Sequence, residues 1–276
     1  MLITVTQILF IDLAELNKNS WTIQNGATEV FLSVDGKEEL RNVGNIIFAA
    51  VCTFLVSFVK NDRANKNLVA DVPACLDYFS RGLHNIKHTA SCCDVLAALL
   101  HHNVGLCKSS WAPKLIANVV DCLFGPITEW TEKDLCLPQL WKTVMKLFSL
   151  LIQLALCDSV SLKNNQTLMI RLLLDRTHAN EGKMNWCIDL KWLQAQKQYL
   201  PHTPEAQAAF MQFFRLISIC CVSATNNRTR DMCARLFPLP SLLATYTEHA
   251  LPRAVKFCIC EVVRHFVFVN DSFDKV

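Results

Sequence analysis

From residue 38 to residue 269, apolar residues return at helical spacing in segment after segment, with few residues able to break a helix. The clearest segment is 138–157. There Leu140, Val144, Leu147, Leu151 and Leu154 fall on one face, and Phe148 and Ile152 broaden it. A cylinder so broadly apolar has to be covered from more than one side, so it cannot stand alone. The 276 residues include only 7 Gly and 9 Pro. Parallel α/β enzymes need glycines where backbone approaches phosphate, and tight hairpins need them for positive φ. With 52% hydrophobic and 18% charged residues the chain is not disordered. Helices packed on helices are the expectation, and hence an all-α fold.

The helical segments recur in a fixed order. A long apolar stretch at 38–60 precedes a short segment at 63–71, a medium one at 73–83 and an apolar one at 89–101. The pattern returns with a short 106–111, a medium 113–124 and a long 138–157. A third pass reads 165–175, 186–200 and 204–222, and a fourth reads 228–236, 238–249 and 252–269. Two polar, glycine-bearing insertions, 125–134 and 177–185, lengthen the second and third passes. The division is one domain over 1–276. It comprises an irregular or capping segment 1–37, a partial repeat 38–61 and repeats at 62–103, 104–161, 162–226 and 227–276.

The junctions agree residue by residue. Asn61-Asp62-Arg63 matches Asn226-Asn227-Arg228, and a proline follows 12 residues after each leading Asn, at Pro73 and Pro238; Pro113 lies 10 residues after Asn103. This resembles the armadillo pattern, in which an Asn-rich turn ends a long third helix and a proline opens the second helix of the next repeat. The armadillo glycine pair before that proline is missing, with Asp71-Val72 and Leu236-Phe237 in its place. The resemblance implies a right-handed α-solenoid of about four degenerate three-helix repeats plus an N-terminal helical cap, with a HEAT-like or irregular solenoid as the alternative. The junctions from Asn61 to Pro73 and from His101 to Pro113 also resemble rotatin, a centriole and cilium scaffold. That likeness implies a fragment acting in centriole or cilium assembly.

The net charge of +3 marks an ordinary surface, without the dense basic patch of nucleic-acid binders. The 14 cysteines fall mostly inside apolar runs, as in Cys52, Cys92, Cys93, Cys157, Cys220 and Cys221. There they behave as small hydrophobes, which implies a reducing, cytoplasmic or nuclear setting. Residues 1–10 are apolar but carry no basic leader, and the greasiest run, 46–59, is too short for a membrane span. Sequons stand at Asn165, Asn227 and Asn270. No catalytic motif appears, and Glu38-Glu39 suits a helix start. Cys92-Cys93 with His101-His102 invites a metal reading, but adjacent cysteines diverge by about 100° on a helix. No cofactor and no metal are expected.

The pattern with functional content is polar. Lys142, Lys146, Ser149 and Gln153 follow i, i+4, i+7, i+11 along one long helix. The next long helix offers Gln212 and Arg215, and the last offers Arg253, Lys256 and Arg264. The first repeat offers Ser91, Asp94 and His101. The armadillo resemblance implies that third helices line a concave groove. These stripes would then form a mildly basic surface for an extended or helical protein segment, of acidic character. Trp141 beside the stripe reads as core in preference to an exposed anchor. The expectation is a non-enzymatic protein-binding scaffold. The alternatives are a nucleic-acid-binding solenoid and, behind it, a helical metalloprotein or enzyme.

Overall fold

The computed structural model describes residues 34–124, 138–179, 204–221, 227–247 and 251–267. These form twelve helices and one two-residue hairpin. The chain divides into two compact units, Met1–Val95 and Leu96–Val276.

In the first unit, α1 (Val34–Val59) is followed by α2 (Arg63–Ala70) and α3 (Pro73–Gly82), and α4 (Thr89–Leu100) begins there. The turn between α1 and α2 follows from two side chains. Asp62 caps α2 by accepting from the Asn65 backbone N–H at 3.0 Å, and the Asn65 amide donates to the Phe58 carbonyl at 3.0 Å. Pro73 occupies the first position of α3, where its missing N–H costs nothing. Phe48, Cys52, Leu55 and Val59 of α1 are buried at helical spacing, and the Phe48 ring lies 4.3 Å from that of buried His88. Burial pushes the Cys52 thiol up to about 12, with Asp94 adding to the shift.

The second unit holds α5 (Val104–Cys107), α6 (Ala112–Phe124), α7 (Pro138–Ala155) and the strands β1 (Leu156–Cys157) and β2 (Val160–Ser161). It continues with α8 (Lys163–Ala179), α9 (Pro204–Cys221), α10 (Asn227–Leu236), α11 (Leu239–Thr247) and α12 (Arg253–Val267). Asn103 caps α5 as Asp62 caps α2, by accepting from the Leu106 N–H at 3.0 Å. Helix α7 packs on α9 and α9 on α12, while α6 packs on α8 and α8 on α10. The seam between α7 and α9 is aromatic: Trp141 meets Phe210 at 6.0 Å and Phe148 meets Phe213 at 5.4 Å. Phe237 closes on Phe213 from the end of α10.

Several boundaries differ from the sequence reading. Helix α1 starts at Val34, so Glu38-Glu39 lies within it and does not open it. The short helix of the second pass is Val104–Cys107, ahead of the expected 106–111, because Asn103 caps it. The long helix stops at Ala155, and Leu156 and Cys157 pair instead with Ser161 and Val160. Asp158 (φ 50°) and Ser159 (φ 63°) make that turn without glycine. Helix α8 runs through Ala179, so 177–179 are helical and the third pass does not open with a short helix. The expected segments 186–200, most of 177–185, and 125–134 lie outside the described residues.

Candidate protein-binding surface

The polar stripes lie on the outward faces of helices that are otherwise buried. On α7, Lys142 is exposed, while Lys146, Ser149 and Gln153 are half-buried between buried Val144, Leu147, Leu151 and Leu154. On α9, Arg215 is exposed and Gln212 half-buried. On α12, Arg253 and Arg264 are exposed and Lys256 is half-buried. Because α7, α9 and α12 pack in that order, the fold brings the three stripes onto successive helices of one unit. Ser91 is half-buried, and Asp94 and His101 are exposed.

The stripes are less uniformly cationic than their sequence suggests. Arg264 donates to Glu261 at 2.8 Å, one turn earlier on the same helix. The Lys256 ammonium stands 6.0 Å from the centre of the Tyr246 ring. The Gln153 side-chain carbonyl is fully buried without a hydrogen-bond partner, so this residue faces the interior as much as the stripe. Trp141 is buried against Phe210 and belongs to the core. Missed in the sequence were the large apolar side chains of the last helices. Phe257 is 66% exposed, and Leu243 and Tyr246 are also exposed. Phe257 lies four residues beyond Arg253, which was the available signal.

The other polar clusters are structural. Cys92 and Cys93 are both fully buried, so neither faces solvent with a histidine. No group of three or more His, Cys, Asp or Glu among the described residues is placed to hold a metal. Cys107 and Cys157 both donate to the Leu100 carbonyl, and burial raises the Cys107 thiol well above its ordinary value. Exposed His102 pairs with Asp158, and Arg176 on α8 pairs with Asp121 on α6. Among the described residues no helix is long and apolar enough to cross a membrane.

No curated protein matches the chain, so the likeness to rotatin finds no support there. One family model does match: that described as RYDR_ITPR: RIH domain, a helical domain of ion-channel receptors, over residues 7–180. The match covers more than half of the chain, takes in α1 to α8 and agrees with the mostly helical fold of the described residues. The chain belongs to the RIH-domain family.

Proposed function

We propose that the chain is a non-catalytic protein-binding scaffold, built as an armadillo-like solenoid, that holds its partner along the faces of α7, α9 and α12. The RIH domain is a regulatory and interaction domain, which supports the general reading. The observation that carries the specific one is the packing order. Long helices of successive passes lie against each other, and each keeps a narrow polar strip outward with a cation in it. In a solenoid each repeat buries its apolar faces against the next, which leaves such strips as a continuous recognition surface. Cations on a surface of this kind favour acidic segments and exclude basic ones. The reading needs no centriolar or ciliary setting.

The test is affinity capture of the tagged chain from cells, run beside a variant carrying Lys142→Glu, Lys146→Glu and Arg215→Glu. The variant is expected to lose partners that the parent retains. Recovery of the same partners at the same levels overturns the proposal.

A further inference from the structure

Among the described residues of the second unit, helices α11 and α12 carry the largest apolar exposure. On α11, Leu239, Leu243 and Tyr246 follow i, i+4, i+7 and are each 37–47% exposed. On α12, Phe257 is 66% exposed, with Arg253 one turn before it and Arg264 two turns after it. The two helices pack on each other, and Lys256 reaches from α12 over the Tyr246 ring. An aromatic side chain so open to water in a helix whose Val255, Ile259 and Val262 are fully buried is not needed by the core.

We propose that this surface is the anchor of the scaffold: a docking site for an acidic amphipathic helix of a partner protein. It rests on the scaffold reading and names the partner's chemistry. The partner's apolar side chains, at i, i+3/i+4, i+7, lie against Phe257, Tyr246 and Leu243. Its carboxylates meet Arg253 and Lys256 on one side and Arg264 on the other. Arg264 is already oriented by Glu261, and that acidic residue within the face sets the spacing at which carboxylates are accepted. Anionic membranes are bound by clusters of four to eight cations. Three cations, with a carboxylate among them, one apolar row on α11 and the single Phe257 on α12, fit a helix better than a bilayer.

The experiment uses the full chain and fluorescence anisotropy. The probes are a labelled helical peptide with leucine and tryptophan at i, i+4, i+7 and glutamate elsewhere, and its counterpart with lysine for glutamate. Vesicles of phosphatidylcholine with phosphatidylserine form a third arm. The acidic peptide is expected to bind, with an affinity that falls as salt rises, and the lysine peptide is not. Phe257→Ser is expected to weaken binding tenfold or more, as loss of a central aromatic anchor does. Because Phe257 is exposed, that variant should keep the parent's far-ultraviolet circular dichroism. Arg253→Glu with Arg264→Glu is expected to weaken the acidic peptide and admit the lysine one.

No binding of the acidic peptide, equal binding of both peptides, or an affinity within twofold after Phe257→Ser overturns the inference. So does binding to vesicles that these same substitutions abolish. If the peptide binds, ignores Phe257→Ser and is released by the Lys142, Lys146 and Arg215 reversals, the anchor is wrong and the scaffold face stands. If capture from cells also ignores those reversals, the scaffold reading falls with it.

Discussion

Asn165 shows what a single polar side chain does in this fold. Its amide donates to the Cys107 carbonyl and to the Leu154 carbonyl, both at 2.8 Å, joining the ends of α5 and α7 to the start of α8. Next to it, the Gln166 amide donates to the Ala155 carbonyl at 3.1 Å and the Ser161 hydroxyl at 2.9 Å. Together they satisfy carbonyls that the end of α7 leaves without helical donors. Asn165 also opens a sequon, but its amide nitrogen is buried and committed to these two bonds, which a glycan would break. His88 has the opposite sensitivity. Burial against Phe48, with Lys87 adding to it, lowers its pKa from the ordinary 6.5. The unfolded chain therefore binds more protons than the folded one as pH falls through 6.5. The stability held above that pH is lost progressively below it. Urea denaturation of the parent is expected to show a falling midpoint from pH 7 to pH 5, and His88→Gln should flatten that slope. An unchanged slope in the variant would mean that other groups carry the acid sensitivity.

At the scale of elements, the packing of α3 on α4 hinges on an absent side chain. A Cβ built at Gly82 would stand 2.6 Å from the Cys92 sulfur, which is fully buried. Gly82→Ala gains ~1 kcal/mol of helix propensity, but overpacking a filled core costs ~1–3 kcal/mol. The sulfur is short and enclosed, so the clash is expected to dominate and the variant to be less stable. Cys92→Ala in the same chain should recover most of the loss, giving a double-mutant coupling well outside additivity. Additive effects by chemical denaturation would show that the helices simply move apart.

The helices themselves were legible because their signals are local. Apolar periodicity located α7 and α9, Asp62 and Asn103 are caps that read directly as turns, and Pro73 opens α3 at its first position. The stop at Ala155 was not legible. Leu156 and Cys157 continue the apolar run, and the turn takes its positive φ from Asp158 and Ser159 in place of glycine. Asp158 is held there by His102, fifty-six residues away in sequence, and no local pattern announces such a partner. The exposure of Lys142 on α7 and of Arg215 on α9 was legible from spacing alone. The Phe257 surface was not, because an aromatic residue in an apolar run reads as core until its neighbours are known.

At the scale of the molecule, the family match and the physical fold end in different places. The match stops at residue 180, after α8, yet α7 buries its aromatic face against α9, which begins at Pro204. Trp141 and Phe148 are almost fully buried, each with a phenylalanine of α9 against it. Removing everything beyond residue 180 would strip that cover from one side of α7. Fully burying a side chain of this size contributes ~1.5–3 kcal/mol, and native domains hold only ~5–15 kcal/mol in total. Uncovering the α7 face, with Val144, Leu147 and Leu151 beside the two aromatics, consumes most of such a margin. A chain ending at residue 180 is therefore expected to bind more hydrophobic dye than the full chain, to unfold with lower cooperativity and to self-associate more on a sizing column. Cooperative unfolding of the shorter chain as a monomer would mean that the matched segment is a self-sufficient fold and that α9 to α12 are an addition to it.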